Sequence, residues 1–407
     1  HDRNHMTATI SRPLSTQTLP ARRTDADNTA TERSTDAPDT KPTPRAGGLT
    51  LEQSEAFGAA MDELREQVRA DLGTVDANYI RRVIAAQRKL EVGGRLALFG
   101  WFLPPLWVAG AVSLGLAKII DNMEIGHNIM HGQYDWMRDD EINSRVWEWD
   151  HPSVSEHWKH SHNEEHHTWT NVIGRDRDVG YGTLRMSEDH PWKPVFLLNP
   201  VLATVMAFNF DHGIALHEIH FEEIQRGRRS FADVKPLLKE IGRKSGKQAL
   251  KDYVLFPALT GPGFLPVAGA NLTANLMRNL WTFVIIFCGH FPDGVEQFPE
   301  DIIEGETRGD WYARQILGSA NIDGNQLFHL MTGNLSHQIE HHAFPDIPAR
   351  RYAEMAPRVQ ELCEEFGLEY NRGGLIQQFG TVVRKIGALA LPESFGPKAW
   401  YRKIFSR

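Results

Sequence analysis

Residues 93–117 read GGRLALFGWFLPPLWVAGAVSLGLA, a stretch in which Arg95 is the only charged side chain. Its length matches the ~20 residues that a helix needs to cross the hydrocarbon core of a bilayer. Pro104-Pro105 interrupts it, which leaves two alternatives, a single membrane span or a shallow hairpin that turns at the prolines. Basic residues stand at both edges, Arg95 and Lys118, and they favour the hairpin.

Two more apolar zones follow along the chain. Residues 195–216 include five polar or helix-breaking residues, which are Asn199, Pro200, Asn209, Asp211 and His212. This zone is too polar for a clean span, so we predict an interfacial segment. Residues 253–289 are long enough for two passes, with Gly261-Pro262-Gly263 breaking the first arm and Leu276–Cys288 forming the second. The mean hydropathy of −0.40 is modest, so we expect a cap of helices outside the membrane.

The composition excludes several classes of protein. Acidic residues outnumber basic ones by 52 to 44, without the basic stripe that nucleic-acid binding requires. Cys288 and Cys363 lie far apart and form no CxxC pair, so neither a disulfide framework nor a cysteine-bound metal cluster is predicted. The cysteine usage indicates a reducing, cytoplasmic environment for the polar part of the chain.

Histidine is the unusual residue, because 17 of the 19 histidines lie between His127 and His342. Three short clusters share one spacing. They are His127-Asn-Ile-Met-His131, His162-Asn-Glu-Glu-His166-His167 and His337-Gln-Ile-Glu-His341-His342. Residues four apart project from the same side of a helix, so each cluster can present two imidazoles to one metal region. A structural role is the simpler reading of any one cluster, but three matched clusters indicate metal binding.

The number of imidazoles indicates two metal ions. Imidazole suits Zn, Cu, Fe and Ni, and a single mononuclear site cannot use eight such ligands. The ligands alone do not choose among these metals, and we take redox-active iron as the most plausible one. A ninth ligand is predicted at His290, which ends the second arm of the 253–289 zone. His217, His220 and His329 are candidates for residues that orient ligating imidazoles.

Topology gives a second argument for one shared site. The second and third clusters can meet only if an even number of spans separates them, and the 253–289 zone offers two. The first and second clusters are joined by a polar, Trp-rich segment without a span. All three clusters are therefore predicted on the same membrane face. The expected fold class is all-α, with membrane-embedded helices topped by a cytoplasmic helical cap that holds a di-iron site.

These clusters resemble the three histidine boxes of the membrane fatty-acid desaturase family, over roughly residues 119–348. Bacterial acyl-CoA Δ9 desaturases of the stearoyl-CoA type are the nearest likeness, on the motifs Gly126-His-Asn-Ile-Met-His-Gly132 and Gly333-Asn-Leu-Ser-His-Gln-Ile-Glu-His-His342. The flanking residues are also similar to the family, and they include Glu124 before the first box and Thr170, Asn171, Asp176 and Asp178 after the second. In the third box the family pattern allows either His337 or Gln338 to face the metal.

The resemblance implies two Fe²⁺ ions, O2 as co-substrate, and a long-chain acyl-CoA or acyl-lipid substrate. Family members use an additional histidine near the end of a span, a position that His290 resembles. No fused haem domain is seen, so a separate ferredoxin-like or cytochrome donor with an NAD(P)H reductase is expected. Glu124 and Asp178 are carried over as residues near the site without an assigned role. The active site is expected on the cytoplasmic face of an integral membrane protein.

Composition, local motifs and the extent of the resemblance together divide the chain. Residues 1–48 are expected to be a disordered extension, and residues 49–92 cytoplasmic lead-in helices opened by the capping box Thr50-Leu-Glu-Gln53. Residues 93–350 are the expected membrane catalytic domain. Residues 351–407 are expected to be cytoplasmic or interfacial helices. Their end carries the aromatic and basic side chains typical of a membrane surface, namely Trp400, Tyr401, Arg402, Lys403 and Phe405.

Three other functions are compatible with parts of the pattern. A hydroxylase, ketolase or alkane oxygenase can be built on the same histidine core, and its product would contain oxygen. A soluble carboxylate di-iron bundle would use the Glu-x-x-His pairs that begin at Glu124 and Glu164, but it needs neither the apolar arms nor the surplus histidines. A histidine-rich metal-binding membrane protein would hold metal without consuming O2. A zinc protease is unsupported because the chain has no HExxH motif.

Overall fold

The structure, a computed structural model, describes residues 45–392. The predicted extension before residue 45 and the aromatic and basic segment from Trp400 to Phe405 lie outside these residues. The α-helices are α1 (Leu51–Ala70), α2 (Thr74–Ala97), α3 (Pro104–Ile120), α4 (His127–Met130), α5 (Ser155–Trp158), α6 (His167–Trp169), α7 (Asn199–Phe208), α8 (Phe210–His217), α9 (Phe221–Gln225), α10 (Phe231–Leu250), α11 (Phe256–Leu259), α12 (Phe264–His290), α13 (Arg308–Leu317), α14 (Gln326–Met331), α15 (Gln338–Ala343), α16 (Tyr352–Phe366) and α17 (Leu375–Ala390).

Three π-helical segments connect some of these helices, namely π1 (Asp121–Gly126), π2 (Lys159–His166) and π3 (Lys251–Leu255). Two short parallel strands, β1 (Asn321–Asp323) and β2 (Arg372–Gly374), pair with Asn321 opposite Arg372. The predicted all-α fold class is confirmed.

The predicted capping box opens α1. Thr50 Oγ1 accepts from the backbone N–H of Gln53, and the side chain of Gln53 accepts from the backbone N–H of Thr50. The lead-in then breaks before Thr74, and α2 continues past the expected boundary at residue 92 to Ala97. The helical lead-in is thus two helices, of which the second enters the apolar stretch.

The apolar stretch 93–117 forms a hairpin that turns just before Pro104, the alternative favoured by its flanking charges. Its arms are longer than those of a shallow hairpin. The first arm, α2, packs along α3, and α3 continues through π1 into α4. Glycines allow the close approach, since a Cβ at Gly110 would lie 3.1 Å from the carbonyl oxygen of Gly94. The continuous helix Pro104–Met130 is long and apolar enough to cross a membrane.

A second helical hairpin is formed by residues 231–290. Its first arm is the continuous helix α10–π3–α11, and its second arm is α12, which is about 40 Å long at 1.5 Å per residue. Gly261-Pro262-Gly263 was expected to break the first arm. It lies instead at the turn between the two arms. The second arm begins at Phe264 and not near Leu276, and residues 261–290 are the second candidate span.

The two hairpins turn at the same end of the molecule. A Cβ on Gly263 would lie 2.3 Å from the ring of Trp101, and Trp107 Nε1 donates to the carbonyl oxygen of Pro266 at 2.7 Å. Both α3 and α12 therefore run from this common end toward the histidine clusters. The zone 195–216 is broken, since α7 and α8 meet at an angle of 97° near Asn209.

Helices α1, α13, α15 and α16 pack into a cap at the opposite end from the turns. Its core joins α1, α13, α15 and α16 through fully buried aromatic and aliphatic side chains, which include Phe57, Met61, Tyr312, Phe344 and Tyr352. This core fixes α15, which carries the third histidine cluster, against the ends of the spanning helices. The histidine-bearing segments therefore meet where the cap joins the two hairpins.

Candidate metal centre

The three predicted clusters and His290 converge on one place. His127 and His131 lie at the end of the Pro104–Met130 helix, and His290 is the last residue of α12. The second cluster lies on a continuous helix made of α5, π2 and α6, and the third lies on α15. In π2 the backbone N–H of His167 bonds to the carbonyl of His162, five residues back. Such widened helical turns are frequent at functional sites, and here one carries the cluster.

Eight imidazoles form two adjacent groups. The nitrogen atoms of the first group lie within 4.8 Å of one another, and this group contains His127, His131, His162 and His341. The second group contains His166, His290 and His342, whose nitrogen atoms also lie within 4.8 Å of one another. His167 lies between the groups, since its nitrogen is within the same distance of those of His341 and His342. The closest nitrogen pairs are His127 Nε2 to His162 Nε2 at 3.3 Å and His290 Nε2 to His342 Nε2 at 3.2 Å.

The donor atoms fit bound metal. The Nε2 atoms of His131, His167 and His341 are buried, and they have no hydrogen-bond partner among the described residues. An unpartnered buried polar atom is costly, and a cation at the convergence point would satisfy several at once. Iron is among the metals that accept this set of neutral imidazole donors.

Burial also sets the protonation state of these rings. It lowers the pKa of His162, His167, His341 and His342 well below the usual value, and positive charge on neighbouring imidazoles would lower it further. These rings are therefore neutral near pH 7, which is the form that binds metal. His166 is the exception. Burial alone would lower its pKa, but the carboxylates of Asp176 and Asp178 outweigh burial and raise the pKa to about 9 in the metal-free protein.

Several side chains orient the rings through Nδ1. His166 Nδ1 donates to Asp176 Oδ2 at 3.0 Å, and His342 Nδ1 donates to Gln315 Oε1 at 3.1 Å. His127 Nδ1 donates to Asn128 Oδ1 at 3.1 Å. These contacts fix the tautomer and leave Nε2 toward the centre.

The sequence pattern identified few of these partners. Asp176 and Thr170 were noted only as residues that follow the second box and are similar to the family. In the structure, Thr170 Oγ1 donates to Gln315 Oε1 at 2.7 Å. Asn128 lies inside the first cluster but had no distinguishing signal. Gln315 lies on α13, far along the chain from every cluster, so no local motif could have indicated it.

The structure places the two candidate residues of the third box differently. His337 precedes α15, and its ring packs on His329 with centroids 4.6 Å apart. It belongs to neither group of converging nitrogens, so we do not retain it as a ligand. Gln338 faces the cluster instead, with Nε2 at 2.9 Å from His290 Nε2. Eight of the nine predicted ligands therefore converge, and His337 is the exception.

The residues proposed to orient ligands have mixed positions. His329 Nδ1 lies 2.7 Å from Ser336 Oγ, and His220 Nε2 lies 4.0 Å from Glu218, so neither contacts the eight imidazoles. Glu124 is likewise indirect, because its carboxylate accepts from Tyr79 and Asn334.

Asp178 and His217 lie closer to the centre. Asp178 Oδ2 is 3.9 Å from His166 Nδ1, and Asp178 Oδ1 is 3.0 Å from His217 Nε2. A carboxylate oxygen of Asp178 also lies within 4.8 Å of nitrogen atoms of His162 and His166. Because this carboxylate faces Nδ1 of His166, we place Asp178 beside a ligand and not among the ligands.

A narrow cavity of about 50 Å³ adjoins the imidazoles, and we call it the catalytic cavity. The polar part of its wall includes His127, His162, His166 and His290. Its apolar wall is formed by Met123, Trp149, Ile214, Ile286 and Leu335. A cavity that is apolar apart from a few convergent polar groups is suited to a hydrocarbon chain.

Replacing Asp176 by Asn is expected to weaken iron binding about 10–100-fold, because the neutral amide holds the His166 ring less firmly than the carboxylate. Iron retained by purified protein during dialysis against a chelator measures this change. Asp139→Asn is the matched control, since Asp139 pairs with Arg81 at the surface. Equal retention in the two variants would contradict the orienting role of Asp176.

The sequence matches known proteins over most of its length. A model of the fatty acid desaturase family matches residues 103–374. The NADPH-dependent stearoyl-CoA 9-desaturase of Mycobacterium tuberculosis is 47% identical over 351 residues, which cover 85% of this chain and 82% of the relative. The sn-1 linoleoyl-lipid 6-desaturase of Synechocystis is 25% identical over 281 residues, covering 67% of this chain and 77% of that protein. The predicted likeness to bacterial acyl-CoA desaturases is confirmed, and the chain belongs to the fatty acid desaturase family.

Proposed function

We propose that this chain introduces a double bond into a long-chain fatty acyl-CoA, using O2 and two iron ions held by the eight imidazoles. The observation that carries the proposal is the convergence of these buried rings, in two adjacent groups, beside an apolar cavity. The stearoyl-CoA specificity in the name of the mycobacterial relative supports an acyl-CoA substrate and the Δ9 position.

The iron ions and the protein would have different roles in the reaction. An unactivated C–H bond needs an oxidant that no side chain can supply, and the iron pair would supply it when bound. The chain's own residues orient the imidazoles, and burial keeps His162, His167, His341 and His342 neutral. His127, His131, His162 and His341 would hold one iron, and His166, His290 and His342 the other, with His167 between them.

The catalytic cavity would position the substrate. Met123, Ile214, Ile286 and Leu335 offer apolar contacts that exclude water and hold the acyl chain against the rings. Because every methylene of a saturated chain has similar reactivity, the position of the chain in the cavity would select the carbons that react. The cavity wall is therefore the part of the protein that we expect to set the double-bond position.

Electrons would come from a separate donor. The described residues contain no cysteine cluster, and Cys288 and Cys363 are both buried and unpaired. The relative's name includes NADPH dependence, so we propose NADPH, a reductase and a ferredoxin-like or cytochrome carrier. The basic residues at the end of the lead-in favour the cytoplasmic face for the site and for this donor.

Product mass tests this function and separates it from its alternatives. Purified protein with measured iron content is incubated with stearoyl-CoA, O2 and an electron-donor system, and the acyl products are analysed by mass spectrometry. We expect a product lighter by two hydrogens, formed only when O2 and reductant are both present. A product heavier by one oxygen would instead identify a hydroxylase. Bound iron without any acyl product or O2 consumption would indicate a metal-binding protein.

A further inference from the structure

We infer that His217 delivers protons from the protein surface to the catalytic cavity, an inference that rests on the proposed function. A second space, which we call the surface cleft, lies beside the catalytic cavity and has a volume of about 680 Å³. Its wall carries several charged side chains, which include Glu165, Arg177, Lys193, Glu222 and Arg226. Among the described residues, His217 is the one that lines both spaces.

The position of His217 suits transfer between the two spaces. It is the last residue of α8, and its side chain is 7% exposed. Its Nε2 lies 3.0 Å from Asp178 Oδ1, which belongs to the wall of the catalytic cavity. Nε2 is buried, and the carboxylate of Asp178 is its neighbour on the cavity side. This nitrogen can therefore exchange a proton with a water molecule or an acid on the cavity side.

Backbone and ring contacts hold His217 in this place. Arg177 Nη2 donates to the carbonyl oxygen of His217 at 3.0 Å, and the ring of Tyr181 packs against the imidazole with centroids 5.3 Å apart. Arg177 itself bonds to Glu222 in the surface cleft. The imidazole thus forms part of the partition between solvent and the catalytic cavity.

The reaction requires protons from solution. Forming one double bond and two water molecules from one O2 takes four electrons and four hydrogens. The acyl chain supplies two hydrogen atoms with their electrons, the external donor supplies two electrons, and the solvent must supply two protons. The catalytic cavity is narrow, and an acyl chain bound in it would leave little room for water to carry these protons. Histidine is the side chain best suited to carry them near neutral pH.

The variant His217→Gln tests the inference, because glutamine keeps a polar group near the Nε2 position but cannot carry a proton. Iron content, KM for stearoyl-CoA, turnover and the solvent deuterium isotope effect are measured beside the wild type. We expect unchanged iron content and KM, a turnover lowered about 100-fold, and a larger isotope effect. His212→Gln is the matched control on the same helix, since His212 lines neither space. It is expected to behave as the wild type.

A second variant distinguishes proton transfer from a structural role. In His217→Ala, imidazole added to the buffer can enter through the surface cleft, and we expect turnover to rise with imidazole concentration. Wild-type turnover in His217→Gln would overturn the inference. Loss of iron from both variants, or the absence of imidazole rescue, would overturn it as well. If the wild type forms no unsaturated product, the proposed function fails instead, whatever these variants do.

Discussion

Replacing His341 by alanine is expected to remove iron and to lower desaturation by more than about 100-fold. Mutating a residue that only hydrogen-bonds to a metal ligand costs up to about 100-fold, and loss of the ligand itself should cost more. His341 is fully buried, and its nitrogen lies among those of the first group and also near those of His167 and His342. Its loss therefore affects the sites of both metals. Iron per chain, measured by elemental mass spectrometry, and unsaturated product are the two readouts.

The matched control is His337→Ala, a change to the first histidine of the same box. Its ring packs on His329 and contacts none of the eight imidazoles, so we expect normal iron content and product. Thermal unfolding in detergent shows whether each variant keeps its fold. Equal iron loss in the two variants, or full activity in His341→Ala, would contradict the ligand assignment.

Replacing Asp252 by alanine is expected to destabilise the protein by about 3–5 kcal/mol. Asp252 lies in π3 and is 1% exposed. Its carboxylate accepts from Arg95 at 2.8 Å and from Lys118 at 2.9 Å, so it links α2 and α3 of one hairpin to the first arm of the other. Removing it leaves Lys118 with Asp150 at 3.2 Å and Arg95 with Glu91 at 3.6 Å, so two buried cations keep only their longer contacts with an anion. Losing the partner of a buried charge is more costly than losing an exposed ion pair.

The midpoint of thermal unfolding in detergent measures this effect. Asp323→Ala is the control, because Asp323 pairs with Arg372 in a half-exposed salt bridge and its loss is expected to cost at most about 1 kcal/mol. A midpoint for Asp252→Ala as high as that of the control would contradict the role of Asp252 in holding the two hairpins together.

Three clusters with one shared spacing were sufficient to predict that the imidazoles converge, because residues four apart lie on the same side of a helix. Residues 231–290 do return to the end at which they began, but only the second arm, residues 261–290, is a candidate span there, so the predicted pair of passes in 253–289 is not found among the described residues. His290 was predicted from its place at the end of an apolar arm, and α12 does end there.

The third box could not be resolved from spacing, because the answer depends on where a short helix begins. α15 begins at Gln338, and His337 adopts non-helical backbone angles just before it. Gln338, His341 and His342 therefore share one helical face three and four residues apart, whereas the side chain of His337 is directed elsewhere. Single-residue helix boundaries are set by tertiary packing and are weakly encoded in local sequence.

Hydropathy misplaced the arms of the second hairpin for a related reason. The first arm, α10–π3–α11, is polar over most of its length, and several of its charged residues pair with other elements. Lys251 bonds to Asp150 at 2.6 Å, and Asn271 of α12 donates to the backbone carbonyl of Asp252. A sequence window counts such side chains as polar and cannot show that they are paired.

An anomalous difference map at the iron absorption edge, from crystals of the iron-loaded protein, tests the central claim most directly. We predict two peaks, one surrounded by His127, His131, His162 and His341, and the other by His166, His290 and His342. A single peak, or iron bound beside His329 and His337 instead, would contradict the two-metal centre on which the proposed function depends.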